Sequence, residues 1–216
     1  MNYLYYSYYA ILLLTFLCAL YRYKIVSRAL KFLVVLLGAS CASEGIAYYA
    51  SIKYHNNMPV YAIYNLVELG LTSLYFNYCI IAFEKRKIGY YIAFAGIILG
   101  TVNILFIQGP DVVDSYFMVL EGLFIMGMSI ISLFQLLMKK GELRLYKYPD
   151  FWVAIIFLFF WSATVLNWTV YNFFIVRFTA YIPVIDVSLV VVNIFVYIGL
   201  GCIFILYPRL YDSAKR

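Results

Sequence analysis

Charge is the scarcest thing in this chain. Asp, Glu, Lys and Arg supply 12% of its 216 residues, where a soluble domain carries about a quarter. With 66% apolar residues, the chain cannot cover itself with polar surface, and lipid must be its solvent. Histidine occurs once, at His55, which excludes a histidine-rich metal centre. The four cysteines, Cys18, Cys41, Cys79 and Cys202, lie in apolar stretches, without C-x-x-C spacing and with no pair in a loop. That excludes a disulfide framework or a zinc cluster and reads as small core residues. Five prolines and twelve glycines occur, and no linker, low-complexity tract or repeat interrupts the chain. One domain over 1–216 is expected, with no soluble part. No Ser-His or Cys-His pairing is present, so no catalytic residue, metal or cofactor is assigned. No basic residue precedes the first apolar run, so that run is expected to be a retained span and not a cleaved signal.

What the chain does have is long apolar runs. Seven fall near 3–21, 32–51, 59–83, 89–107, 114–138, 151–176 and 181–207, each long enough to cross ~30 Å of hydrocarbon at ~1.5 Å per residue. The expected fold is all-α, a polytopic membrane protein of seven transmembrane helices. Its basic residues sort onto one side. Arg22, Lys24, Arg28 and Lys31, then Lys85, Arg86 and Lys87, then Lys139, Lys140, Arg144 and Lys147, then Arg209, Lys215 and Arg216 share one face, fourteen in all, against Lys53 and Arg177 on the other. The positive-inside rule puts the N-terminus outside and the C-terminus in the cytoplasm. Adding or removing one span would scatter the charged loops. The same sorting accounts for the net charge of +6 and removes nucleic acid as a partner. Tyrosine gathers at segment ends as an interfacial belt (Tyr3, Tyr5, Tyr6, Tyr8, Tyr9, Tyr146 and Tyr148). Pro208 is expected to end the last span.

Against this apolar background three acids stand out: Glu44, Glu68 and Glu121. An ionisable group at mid-helix costs ~2.5–3.5 kcal/mol on an insertion scale, so each needs a reason. With the expected orientation, Glu68 lies roughly 13 Å and Glu121 roughly 10 Å in from the outer side, by helical rise. Glu44 sits in the same outer half, and Asp186 joins them nearer the surface. In the third segment Tyr61, Asn65, Glu68, Thr72 and Tyr75 recur at helical spacing on one face. Small residues suggest close packing along Gly38, Ala42 and Gly45 and at Gly96-x-x-x-Gly100. Protein counter-charges on the outer face are limited to Lys53, Arg177 and His55. Trp161 and Trp168, with Asn167 and Asn172, offer a second lining in the sixth segment. The candidate ligand-binding set is therefore Glu44, Glu68, Glu121, Asn65, Asp186, Tyr61, His55 and Asn167. Two readings stay open. The acids are neutral ties between helices, donating to Asn65, Asn103, Asn167 or tyrosine hydroxyls, or they form a site for a ligand, ion or proton.

The run His55-Asn56-Asn57 followed by Tyr64-Asn65-x-x-Glu68, with Glu44 in the preceding span and Phe151-Trp152 opening a later one, resembles an uncharacterised family of small seven-helix bacterial inner-membrane proteins. In that family an Asn-Asn loop leads into a Tyr-Asn-x-x-Glu helix and a Phe-Trp pair starts a later helix. The resemblance covers most of the chain in span layout. It implies a bacterial inner membrane and carries no established activity.

Three functions fit such a sequence. A sensor or ligand- and ion-binding bundle with an outer acidic pocket fits best; its partners would be membrane lipid, a membrane protein, and a small cationic or lipid ligand. A carboxylate-dependent lipid-modifying enzyme would use paired acids for proton transfer. A proton- or cation-coupled transporter would use them as an ion path, but no broken helix or inverted repeat is evident.

Overall fold

The computed structural model describes residues 2–140, 145–177 and 182–215. Arg144 and Arg216, two of the fourteen basic residues, lie outside the described residues, as do the side chains of Lys139, Lys140, Asn172, Arg177, Arg209 and Lys215. All regular structure among the described residues is helical: α1 (Asn2–Arg22), α2 (Arg28–Tyr54), α3 (Met58–Cys79), α4 (Ile81–Arg86), α5 (Ile88–Val102), α6 (Ser115–Lys140), α7 (Pro149–Arg177) and α8 (Ile182–Lys215). A π-helical turn, Asn103–Ile107, continues α5 directly, and a single 3-10 turn, Leu145–Lys147, precedes α7.

Among the described residues, six stretches are long and apolar enough to cross a membrane: Tyr3–Arg22, Arg28–Tyr54, Ile88–Ile107, Ser115–Met138, Pro149–Val170 and Pro183–Pro208. Large apolar side chains point outward along them, Phe94 at 66%, Leu105 at 64% and Phe106 at 80% exposure. A water-facing surface does not tolerate such a continuous apolar cover. This is a multi-pass helical membrane protein. The helix α3 is not among the six stretches. Its 22 residues give it the length, about 33 Å by helical rise. Asn65, Glu68, Thr72, Ser73 and Asn77 make it the more polar helix.

Three boundaries differ from the sequence expectation, each for a local reason. The stretch 59–83 is not one helix: Ile80 turns to an extended conformation (φ −100°, ψ 114°) and separates α3 from the short α4. That break buries Ile80 and Phe83 while Glu84, Lys85, Arg86 and Lys87 stay exposed. Second, Asn103–Ile107 leaves the α-helical ladder, with the Gln108 N–H donating five residues back to the Asn103 carbonyl at 2.9 Å. Apolar periodicity is too coarse to show a slip of one residue. Third, Pro208 ends the apolar span but not the helix, which runs on to Lys215. Proline removes one N–H and crowds the preceding turn, yet membrane helices tolerate it.

The chain divides into two compact bodies: Arg28–Glu121, and Met1–Ser27 with Gly122–Arg216. In the second body α8 packs on both α1 and α7. Buried Thr15 donates to the Tyr197 carbonyl at 2.9 Å, and the Tyr8 and Tyr197 rings meet at 5.8 Å. In the first body α3 is the centre, packed on α2 and α5. The Gly96-x-x-x-Gly100 pair lies in the α3–α5 seam together with Gly89: a methyl on Gly100 would lie 2.1 Å from Leu66 Cδ2, one on Gly96 2.4 Å from Leu69 Cδ2, and one on Gly89 2.4 Å from the Ser73 carbonyl oxygen. The α2 stripe does not behave alike. Gly45 meets nothing within 4 Å and Ala42 is exposed, because α2 buries the Leu30, Leu33, Leu37, Ser40 and Ala47 face instead.

Candidate functional site

The polar interior of the Arg28–Glu121 body is organised around α3. Its packed face carries Asn65, Thr72, Ser73 and Asn77, all 3% exposed or less. The Asn65 amide nitrogen and the Thr72 and Ser73 hydroxyls have no hydrogen-bond partner. Near this helix lies Glu121 on α6, almost two turns into its own helix and 0% exposed, with neither carboxyl oxygen hydrogen-bonded. The charges that bear on Glu121 come from Glu68 and Asp114, both acids. Buried polar groups are satisfied in the great majority of cases, and a buried acid with no partner and two acidic neighbours is the least expected arrangement among the described residues.

Asp114, just ahead of the Ser115–Met138 span, completes the group. One carboxyl oxygen accepts from Asn103 Nδ2, and the other is buried without a partner. Burial pushes the Asp114 carboxyl up to about 6, and the Asn103 and Asn65 amides pull it partly back. The Asn65 nitrogen lies close enough to act on that charge but does not form a well-made hydrogen bond. Asn103 is placed by the π-helical turn. Its Nδ2 also donates to Gln108 Oε1 at 3.0 Å, Gln108 Nε2 donates to Ser115 Oγ at 3.0 Å, and Gln108 Oε1 accepts the Tyr116 N–H at 3.0 Å. The turn thus folds back over the start of α6 and caps it. Outside this network, Asn56 Nδ2 donates to Asp111 at 2.9 Å, joining the α2–α3 and α5–α6 connections.

Glu68 is half-buried and lies one turn beyond Tyr64, whose hydroxyl hydrogen-bonds to it. The same hydroxyl sits 2.7 Å from Ser40 Oγ, and Ser40 donates to the Leu36 carbonyl at 2.9 Å. Tyr64 has one hydrogen to give. If Ser40 donates to Leu36, Tyr64 donates to Ser40, and Glu68 must itself supply the proton to Tyr64. If Glu68 is ionised, Tyr64 turns its hydrogen to Glu68 and Ser40 must choose between Tyr64 and Leu36. The direction of this chain is set by whether Glu68 carries a proton.

The other expected residues fall as follows. Glu44 is half-buried and accepts from the Tyr61 hydroxyl at 3.1 Å, an α2–α3 tie. His55 is exposed at φ 54°, the left-handed position that stops α2, so its structural part is that of a helix terminator. Lys53 is exposed and lies over the Tyr49 and Tyr54 rings. Asn167 and Asp186 belong to the other body. There Asn167 accepts from the Ser188 hydroxyl at 3.0 Å and donates to the Ala163 carbonyl at 2.9 Å, and Asp186 is exposed. Among the described residues no group of three or more His, Cys, Asp or Glu side chains is placed to hold a metal ion.

Asp114, Gln108, Tyr64 and Ser40 are not legible in the sequence as site residues. An acid immediately before a helix reads as an N-cap, and here the Asp114 side chain is spent on Asn103 instead. Compared with known proteins, the chain matches no family model, no curated protein and no solved structure. The fold and the site therefore define its class on their own: a helical multi-pass membrane protein with an acidic interior.

Proposed function

We propose that this protein is a membrane sensor that takes up a proton at the Glu68, Asp114 and Glu121 cluster and conveys that occupancy to a partner in the membrane. The observation that carries the reading is Glu121: fully buried, unpartnered at both oxygens, and flanked by two further acids. A cluster of this kind gains from any positive charge that reaches it. The Glu68–Tyr64–Ser40 chain gives the occupancy a route to α2, since a change at Glu68 alters which hydrogen bonds α2 receives. A sensor fits better than an enzyme because that chain ends on the α2 backbone, where a shift in structure follows and not a reaction.

On this proposal α3 is a seventh span. Support comes from its length and from the charge sorting, which needs the Lys85-Arg86-Lys87 turn on the same side as the other basic loops. The acids then lie in the outer half, the N-terminus outside and the C-terminus in the cytoplasm. The motif resemblance adds a bacterial inner membrane.

The test is thermal unfolding of the protein in nanodiscs between pH 5 and 8, with Na⁺, K⁺ or choline at fixed ionic strength. Wild type should shift its midpoint with pH and not with the identity of the cation. The Glu68→Gln, Glu121→Gln pair should keep only the smaller pH dependence that Asp114 carries. A double variant that matches wild type in every buffer would remove the acid cluster as the site.

A further inference from the structure

The same body holds a second site that the acid cluster does not use. A cavity of about 590 Å³ opens where α3, α4 and α5 meet, lined by Asn77, Tyr78, Glu84, Lys87, Tyr90 and Tyr91. Its size is that of a ligand pocket and not of a packing gap. We propose that this cavity takes a phosphate ester, carried either by the headgroup of an anionic phospholipid or by a small soluble molecule. Such a site is independent of the role of Glu121.

The surroundings are suited to that chemistry. Arg28, the first residue of α2, stands beside the cavity with its guanidinium 4.1 Å above the Tyr78 ring, and that ring is itself stacked on Phe32 at 5.5 Å. This contact holds the guanidinium over the ring face, and its several N–H groups supply more donors than one cation–π contact uses. Arg28 also acts electrostatically on Tyr90. The Tyr78 and Tyr90 hydroxyls meet at 2.6 Å. One hydrogen lies in that bond, and the second is left to donate to a ligand. Lys87 sits at φ 56°, a left-handed position where glycine is the easier residue. The backbone accepts that strain with an ammonium-bearing side chain on the cavity wall. Asn77 is 1% exposed, and its carbonyl oxygen accepts the Gly89 N–H at 3.1 Å. That bond fixes the α3–α5 spacing on which the cavity depends.

Charge balance narrows the ligand. Arg28 and Lys87 against Glu84 leave one net positive charge, the match for a monoanionic phosphodiester. Glu84 supplies an acceptor for a hydroxyl or ammonium substituent on the same headgroup. Basic pockets between membrane helices hold anionic lipid headgroups in this way.

The experiment is native mass spectrometry of the intact protein released from detergent, titrated with phosphatidylglycerol or with phosphatidylcholine of the same chains. Wild type should retain one phosphatidylglycerol in clear preference to phosphatidylcholine. Arg28→Gln with Lys87→Gln should cut that retention about tenfold. Lys85→Gln removes one positive charge from α4 outside the lining and should leave retention unchanged. Tyr78→Phe with Tyr90→Phe keeps every charge and should still weaken retention several-fold. Melting temperatures in phosphatidylcholine confirm that each variant is folded. Displacement of the lipid by millimolar glycerophosphoglycerol, a soluble phosphodiester, supports a soluble ester as a ligand; retention against it, with Lys87 still required, supports the lipid. Equal adducts of the two lipids on wild type, or an equal loss from Lys85→Gln, would overturn the proposal, because a general attraction to basic loops would then suffice.

Discussion

Asp114 shows how the first residue of an expected span becomes part of a site. Its carboxyl is raised by burial to about 6 from an ordinary 3.8. In the unfolded chain it ionises near the lower value, so between these values the fold holds a proton that the unfolded chain has lost. Stability from this group therefore rises as pH falls through about 6 and is complete below 3.8. A shift of this size is worth on the order of 1–3 kcal/mol, or roughly 2–12 °C in melting temperature. Asp114→Asn keeps an acceptor for Asn103 and has no charge to bury. The variant should melt higher than wild type at pH 7.5, and the gap should narrow towards pH 5. A gap that is flat across that range would show that Asp114 does not titrate there. The glutamates are visible in the sequence because an acid in an apolar run is an anomaly wherever it falls. Asp114, Gln108 and Tyr64 are not, because each is ordinary at its own position and becomes notable only through its neighbour.

Among the elements, α3 sets the architecture of its body, and its closeness to α5 depends on three glycines of that second helix, Gly89, Gly96 and Gly100. A methyl group at Gly100 would meet both Leu66 and the Phe117 ring, the latter at 2.9 Å. Gly100→Ala should cost about 1–3 kcal/mol by overpacking. Gly45→Ala on α2 meets nothing within 4 Å and should stabilise by about 0.5–1 kcal/mol, since alanine gives up less backbone entropy in a helix. Thermal unfolding of the two variants side by side checks the sign of each. Sequence marks both helices as rich in small residues. It has no means of telling the seam from the open face, because a glycine reads the same whether or not another helix lies against it. The π-helical turn is a similar case. It brings Asn103 towards Asp114 by a shift in hydrogen bonding that leaves the hydrophobic pattern unchanged.

For the whole molecule, the question that controls all others is whether α3 crosses the membrane. Six spans are apolar enough to be recognised by composition, and α3 is the helix that polar residues make ambiguous. With seven spans, the connections at Asn56 and Pro110 face one side, and those at Arg86 and Tyr146 face the other. Alkaline phosphatase fused after Asn56 and after Pro110 should be active, and fused after Arg86 and after Tyr146 inactive. Activity at Arg86 with silence at Pro110 would show that α3 does not cross, and the outer placement of the acids would go with it. The charge sorting favours crossing, because the alternative puts the Lys85-Arg86-Lys87 turn opposite the Arg22–Lys31 loop.

Sequence by itself determined that this chain lives in lipid, that it is helical, roughly where its spans lie, and that Glu44, Glu68 and Glu121 are out of place there. Those conclusions follow from transfer energies, which depend on the residue and its depth and hardly at all on its neighbours. Tertiary structure alone decided the rest: that Glu68 and Glu121 are joined by Asp114, that Glu44 is tied to Tyr61, that His55 ends a helix, and that Arg28 lies over the ring of Tyr78, which lines one cavity with Lys87. Hydrogen bonds and charge pairs act over a few ångströms, and residues dozens of positions apart reach that range only once the helices have packed.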